Sequence, residues 1–574
     1  MKSIKRRFSI LIFLLLFCMV SEAQLWQWSI PVKGGINKNG PSRAFLWIPP
    51  HCANLRGVVL AQNNMEELSV IENTCFRDSM ASIQFGIIWV SPAFDILFNV
   101  PGGAGKTFIG MMHDLAVTSG YNELKFVPVV SMGHSASSNF PHSFAAWFPE
   151  RALCGISISG VFPYDFTNMF ARNTWEGRNV DFIPSLVTMG EYEGSGSSSA
   201  NFDRIFSRRE AHPFTPMSLL PCAGEYHFAT SQKKTDFIAY YIKKAVFYRL
   251  LKDATDSTFA TLKPIDPTIT GWLVDRWRKN EKPRYQRNPV AIYTGIKKEA
   301  FWCFDADMAK RIEDYENAYF CKRPCLLAYV QNGRKVPQTN NHVQVSLKFI
   351  PLNDSLDFKL SSSFLDTVAS VSGRLRGWTD LPVGSPIGYP SNPALSSIDR
   401  TIGPFIKLGY DPATRVTTFR MQLEPGLASA PVNYKNTTIF SLTNPGDAVY
   451  KPSVLQADMS IPVKNTEGVL QVINFPQQAD VTTKTVAVQL NAVSDKGLPV
   501  QYFVREGPVQ LKGNKLVLTN IPPKSHYPVK VTVIAWQWGR NSELAALTAG
   551  TSAPLAGKTV QTAQPVVRSF YISH

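Results

Sequence analysis

Phe126-Val-Pro-Val-Val-Ser-Met-Gly-His-Ser135-Ala-Ser137-Ser-Asn-Phe140 is the stretch that decides the fold. Its first part, Phe126 to Ser131, is apolar and β-branched, the composition of a buried strand. Gly133 ends the run, and Phe140, Phe144, Ala145 and Trp147 follow at helical spacing. Between them lies Gly133-His134-Ser135-Ala136-Ser137, one residue away from the G-x-S-x-G pattern of a nucleophile elbow. Such a turn needs small residues two before and two after the serine, and its strain pushes the serine Oγ clear of the sheet. Ser137 stands where the second glycine is usual, small but with a Cβ. A serine in an ordinary strand-to-helix loop is the competing reading, so the rest of the chain has to decide.

Outward from this stretch, residues 24–275 alternate between strand-like and helix-like segments. Arg43 to Ile48, Gly57 to Ala61, Gly86 to Ser91 and Cys154 to Gly160 read as short buried strands, with helical material such as Phe108 to Ser119 between them. Fully apolar strands alternating with helices imply a mostly parallel sheet covered by helices, with the chemistry at the carboxyl ends of the strands. Beyond residue 275 the composition changes. Residues 276–455 are first rich in charge and aromatics and then break into short β-like runs, including Leu326 to Gln331, Val343 to Ile350 and Val416 to Leu423. Residues 456–574 keep that β character and read as a further all-β module.

The N-terminus is a separate matter. Lys2, Lys5, Arg6 and Arg7 precede an apolar run from Phe8 to Val20, and Ser21-Glu-Ala23 offers small residues for cleavage, so residues 1–23 read as a signal peptide. That predicts a secreted or periplasmic protein, with no membrane-spanning segment after cleavage. The 574-residue chain carries a formal charge of +16, but its basic residues are scattered. An exported chain without a dense basic tract is no nucleic-acid binder; attraction to acidic polysaccharide or an anionic cell surface fits better. Cys52, Cys75, Cys154, Cys222, Cys303, Cys321 and Cys325 are an odd number, which leaves at least one thiol unpaired, and Cys154 in its apolar strand is the candidate. Their spacing matches no zinc site, and Gly102-Gly-Ala-Gly-Lys-Thr107 lacks the first glycine of a phosphate loop, since Val100 occupies that position. No metal and no cofactor are expected.

A nucleophilic serine needs a general base, and the base needs a carboxylate to fix its tautomer. Of the histidines after Ser135, His227 is best placed. Met217 to Ala223 forms a strand, Gly224-Glu-Tyr-His-Phe228 a loop, and Thr230 or Ser231 can cap a helix carrying Phe237, Ile238, Tyr241, Ile242 and Ala245 on one face. His142 falls in the helix after the elbow and packs there; His212, before Pro213, is a weaker rival. For the acid, Ile183 to Gly190 reads as a strand ending in a glycine turn. Glu193, three residues beyond that glycine, is preferred; Glu191 is the alternative, and Asp165 and Asp203 trail both. An oxyanion would be held by the N–H of Ala136 and by that of Gln62 or Asn63, at the end of the Gly57 strand. His134 and Ser137 would hold the geometry of the turn.

With Gly133-His-Ser-Ala-Ser137, the strand with its Gly190 turn, and Gly224-Glu-Tyr-His227 before a helix, residues 24–275 resemble the α/β-hydrolase superfamily. The resemblance implies a sheet of the eight-stranded type, serine-ester chemistry through an acyl-enzyme, and no cofactor. A second resemblance covers the C-terminus. Leu490-Asn-Ala-Val-Ser-Asp-Lys-Gly-Leu-Pro-Val500-Gln-Tyr502, Gly507-Pro508, Gly513-Asn514, Val529 to Val533 and Trp536-Gln-Trp-Gly-Arg-Asn541 are similar to a bacterial Ig-like module, which implies a spacer or adhesive sandwich. The layout is similar to that of secreted carbohydrate esterases, which implies an ester borne on a polysaccharide, with Trp272, Trp277, Trp302 and Trp378 as candidates to stack on sugar rings. The alternatives are a serine peptidase and an inactive hydrolase-fold scaffold at the cell surface. Oligomeric state is left open by the sequence.

Overall fold

A computed structural model of the chain describes residues 26–34, 40–164, 175–193, 199–222, 224–278, 281–318, 320–339, 343–368, 379, 381–423 and 435–574. The N-terminal segment 1–23, Asp165 and Trp378 lie outside the described residues. Eight strands make one sheet: β1 (Trp28–Pro31), β2 (Arg43–Trp47), β3 (Gly57–Gln62), β4 (Phe85–Ser91), β5 (Val129–His134), β6 (Ala152–Ile158), β7 (Ser185–Gly190) and β8 (Met217–Cys222). Their order is β1-β2-β4-β3-β5-β6-β7-β8. β1 and β2 pair antiparallel, as do β2 and β4, and every pair from β4 across to β8 is parallel. This is the mostly parallel sheet that the alternation of segments implied. β5 begins three residues later than the apolar run, because Phe126 closes a 3-10 turn and Pro128 has no N–H to donate to a ladder.

Alternation along the strands divides the interior in two. Val59, Ala61, Ile87, Trp89, Val130 and Met132 face one cluster, while Val58, Leu60, Ile88, Val90 and Val129 face the other. Helices α1 (Glu67–Ile71) and α2 (Thr74–Ser82) lie after β3, α3 (Ala104–Ser119) after β4, α4 (Phe140–Trp147) after β5, α5 (Ser199–Ala211) after β7 and α6 (Gln232–Arg249) after β8. α2 and α6 supply the first cluster with Phe76, Met80, Phe237, Tyr241 and Ile242; α3 and α4 supply the second with Phe108, Leu115, Phe140 and Phe144. The boundary expected at residue 275 cuts through the first cluster. Trp302 and Phe304, with Met308 and Ile312 of α7 (Ala306–Asn317), are buried in it together with Leu273 and Val274. Trp277 and Trp302 are core residues and cannot stack on a sugar. Cys154 is a free buried thiol in β6, pushed up to about 12 by burial.

The second half is built of mostly antiparallel sheets. A five-stranded sheet (Arg334–Lys335, Leu327–Gln331, Asp357–Phe364, Val416–Met421, Phe405–Asp411) faces a four-stranded one (Val345–Leu347, Ser453–Pro462, Lys435–Asn444, Ser397–Ile402). Leu327, Phe358 and Phe419 meet Phe440, Leu455 and Met459 between them, the arrangement of a β-sandwich. Ser453–Pro462 crosses the boundary expected at residue 455. The remaining residues form smaller sheets around Phe475, Leu490, Val531 and Phe570, yet Phe503, Trp536 and Trp538 reach into the sandwich cluster. Among the described residues no helix is long and apolar enough to cross a membrane.

Arg540 locks the two β regions together. Fully buried, it donates to both carboxylate oxygens of Asp354, from Nε at 2.8 Å and Nη2 at 2.5 Å, and to the carbonyls of Pro554 and Leu555. Breaking a buried pair from one side strands the other charge at a cost of about 3–5 kcal/mol. Arg540→Met is therefore expected to lower the urea midpoint of the β half, read by tryptophan fluorescence, and adding Asp354→Asn is expected to recover part of the loss.

Candidate active site

Ser135 follows the last residue of β5 with φ of +54°, a left-handed backbone that costs a β-carbon residue roughly 1–3 kcal/mol. The turn closes because of Gly133. A Cβ there would lie 2.1 Å from the Ser137 carbonyl oxygen, so the small residue before the serine is obligatory. At Ser137 the side chain contributes. Its hydroxyl accepts from the His134 N–H at 2.9 Å and donates to Glu67 Oε1 at 2.5 Å. Glu67 Oε1 also accepts from the His134 N–H at 2.7 Å, and its Oε2 from the Met65 N–H at 2.7 Å. Burial pushes the Glu67 carboxyl up, and the donors from Ser137, His134 and Met65 work against that rise.

His227 stands on the loop between β8 and α6, which starts where Ser231 Oγ accepts from the Lys234 N–H at 3.2 Å. Its Nε2 lies 2.6 Å from Ser135 Oγ, and its Nδ1 lies 3.2 Å from Glu193 Oε2. A carboxylate only accepts, so Nδ1 carries the proton and the Nε2 lone pair faces the serine hydroxyl. Glu193 is almost fully buried and its Oε1 accepts from the Gly190 N–H at 3.0 Å. Burial alone would raise its pKa, but the hydrogen bond and charge of His227, with the Gly190 N–H and the Ser159 side chain, outweigh burial and hold it below the ordinary carboxylate range. Glu193 is thus an anion beside the imidazole.

Other candidates lie elsewhere. Glu191, the alternative acid, points away from His227: its Oε1 accepts from Lys451 Nζ at 2.7 Å and its Oε2 from the Gly224 N–H at 2.9 Å. His142 Nε2 donates to the Val161 carbonyl at 2.9 Å, and burial pushes its pKa down to about 4, so it packs as a neutral ring. His212 stacks on Tyr164 with ring centroids 3.6 Å apart. Asp203 lies on α5.

The expected oxyanion donors need correction on one side. Ala136 sits in the first turn of the 3-10 segment Ser135–Ser137, whose bonding starts with the Ser138 N–H on the Ser135 carbonyl at 3.0 Å, so the Ala136 N–H has no acceptor among the described residues. On the β3 side, the Asn63 N–H already donates to the Val90 carbonyl at 2.7 Å. Val58 donates to the carbonyl of Pro128, the residue before β5, and the alternation of a parallel ladder aims the N–H of Gln62 toward β5 as well. Gln62 instead serves through its side chain, whose Oε1 accepts from the N–H groups of Phe94 and Asp95 at 3.1 and 3.0 Å. The next N–H along, that of Asn64, has no acceptor among the described residues, and Asn64 Nδ2 donates to the His134 carbonyl at 2.5 Å, which holds this loop against the elbow.

Behind the triad lies an ionic cluster that sequence reasoning missed. Lys234 Nζ, fully buried, is 2.8 Å from Glu66 Oε1 and 3.0 Å from Glu225 Oε2. Burial raises Glu66 to about 7 despite Lys234, while Glu225 and Glu66 overcome the effect of burial on Lys234 and keep it charged. Two clues were present in the sequence: adjacent carboxylates directly after β3, and a lysine on the apolar face of a helix. Among the described residues no group of three or more His, Cys, Asp or Glu is placed to hold a metal ion.

No family model and no curated protein matches the chain. Solved structures similar to it include the serine hydrolase FphF of Staphylococcus aureus, 11% identical with a TM-score of 0.27 over 38% of this chain and 98% of that one. A dienelactone hydrolase from Anabaena variabilis is 14% identical with a TM-score of 0.26, over 39% and 98% of the two chains. Est1E from Butyrivibrio proteoclasticus is 13% identical with a TM-score of 0.26, over 38% and 97%.

Two measurements check this site. Ser137→Ala removes a donor from a buried carboxylate and is expected to cost about 1–3 kcal/mol in chemical denaturation. Because Glu193 is held below its ordinary range, its contribution to stability is complete above that range and is lost as pH falls through the lower folded value. Glu193→Gln is therefore expected to flatten the acid side of the stability–pH curve.

Proposed function

We propose that the protein is a serine hydrolase that cleaves carboxylic esters through an acyl-enzyme. The observation that carries this reading is the relay Ser135 Oγ, His227 Nε2, His227 Nδ1, Glu193 Oε2, with separations of 2.6 and 3.2 Å at its two ends, on a serine at φ of +54°. His227 takes the hydroxyl proton as Oγ attacks the ester carbonyl, and Glu193 stabilises the imidazolium that forms. The negative charge on the former carbonyl oxygen is met by the N–H groups of Ala136 and Asn64. Collapse of the intermediate expels the alcohol, which leaves with the proton from His227. Water, deprotonated by the same histidine, then attacks the acyl-enzyme and releases the acid, returning Ser135 to its starting state.

Export and a polysaccharide-borne ester belong to the same proposal. They are supported by the basic-then-apolar N-terminal segment, by the charge of +16 and by the β-rich second half. A panel of acetylated and feruloylated polysaccharides, assayed for released acid, tests the substrate.

The chemistry is tested with short-chain p-nitrophenyl esters and a fluorophosphonate probe. Wild type is expected to hydrolyse the esters and to be labelled at Ser135; Ser135→Ala is expected to lose both. Glu193→Gln is expected to lower kcat about ten-thousand-fold by releasing the histidine tautomer. Folded wild type that neither turns over nor reacts with the probe overturns the reading.

A further inference from the structure

The peptide between His227 and Phe228 is gripped from both sides. Its carbonyl, on His227, lies 2.8 Å from His134 Nε2, the residue next to the nucleophile. Its N–H, on Phe228, donates to Oε1 of Gln456, which is fully buried in the sandwich strand Ser453–Pro462. One peptide therefore fixes the backbone of the imidazole against the elbow on one side and against a strand 228 residues away on the other. The same sandwich takes hold two residues later. The Thr230 N–H donates to Ser441 Oγ at 3.1 Å, and that hydroxyl lies 3.3 Å from the Phe228 carbonyl and 2.6 Å from Thr401 Oγ1.

The acid turn is held from the same direction. Glu191, two residues before Glu193 and fully buried, has Lys451 as its ion-pair partner, and its other oxygen takes the N–H of Gly224 at the start of the histidine loop. The Val454 N–H donates to the Gly224 carbonyl at 3.2 Å. Gly224 itself has φ of +70°, and a Cβ there would lie 2.4 Å from the Pro452 carbonyl oxygen, so loop and sandwich meet backbone to backbone. Tyr192 and Tyr226 pack on the sandwich cluster, and Ser69 of α1 donates to the Thr401 carbonyl at 2.6 Å.

We propose that Gln456, Ser441 and Lys451 are positioning residues of His227 and Glu193, which makes the β-sandwich the rear wall of the triad rather than an appended module. The inference rests on the serine-hydrolase reading. None of the three touches the reacting atoms. Each restrains a backbone from which a triad member projects, and misplacement by about 1 Å from a remote change can cost on the order of 100-fold in rate.

The test uses the full chain and three changes: Gln456→Met, Ser441→Ala, and Lys451→Met paired with Glu191→Gln so that no buried charge is stranded. Expected for each is a fall in kcat of roughly ten- to hundred-fold with KM nearly constant, slower fluorophosphonate labelling of Ser135, and a displaced midpoint in the pH profile of kcat/KM. Lys451→Arg, which keeps the charge, is expected to restore kcat. Thermal melts are run beside each assay. Should Gln456→Met melt below the assay temperature, Ser441→Ala, the loss of a single hydroxyl, decides by the same readouts. Variants that melt like wild type and match it in kcat, labelling rate and pH midpoint overturn the proposal while leaving the serine-hydrolase reading intact. A change in KM alone overturns it too, since that marks a substrate contact. Wild type without esterase activity or probe labelling overturns both.

Discussion

Glu67 is buried to its last atom, and its two oxygens gather the Met65 N–H, the His134 N–H and the Ser137 hydroxyl. Those donors come from the loop after β3 and from the two residues that flank Ser135 and Ala136. A strained turn persists only where its surroundings over-determine it. Here one carboxylate ties the elbow to the neighbouring loop. Because the donors of a buried carboxylate cannot be replaced by water, loosening any one of them is felt by the others.

A second constraint acts through the ions behind the site. Lys234 on α6 is shared by Glu66, next to Glu67, and Glu225, two residues before His227. The lysine thereby joins the β3 loop to the histidine loop across the first turn of α6. Ser231, the cap of that helix, donates to Glu225 Oε1 at 2.6 Å, and Thr230 Oγ1 donates to Glu66 Oε1 at 3.0 Å, so every residue from 229 to 231 is committed either to this cluster or to the sandwich. Such rigidity holds the His227 imidazole at hydrogen-bond distance from the Ser135 hydroxyl.

Sequence patterns carried the α/β half well, because its information is local. Strands β3 to β8 are short apolar runs with turn residues at their ends, and Ser231 caps α6 where a hydroxyl preceded an amphipathic stretch. Ser135, Glu193 and His227 stand out in the sequence because each lies in the short connection that follows a strand, β5, β7 and β8 in turn. What the sequence could not resolve depends on the direction of a side chain. Glu191 and Glu193 share one turn, and only the partner at Lys451, 260 residues on, shows that one faces the sandwich and the other the imidazole. Asn63 likewise has the residue type of an oxyanion loop, but the ladder with β4 runs one step further than its sequence suggests. The boundaries at 275 and 455 were drawn on composition, whereas burial follows contact, and α7 and Ser453–Pro462 pack across both lines.

The contacts of Gln456 and Lys451 with the histidine loop and acid turn also order events in time. A chain made from its N-terminus presents the complete eight-stranded sheet long before residue 451 exists. During that interval Glu191 lacks its lysine, and the Phe228 N–H lacks its acceptor. Domains tend to fold as they emerge, and long-range closure comes last. The restraints that Gln456 and Lys451 place on the loop and turn beside Ser135 therefore come last, when the second half of the chain closes over the first. The same closure brings the Gly507 N–H onto the carbonyl of Trp26, at 3.0 Å. Synthesis of Ser135 and arrival of Gln456 are separated by more than half of the length of the protein.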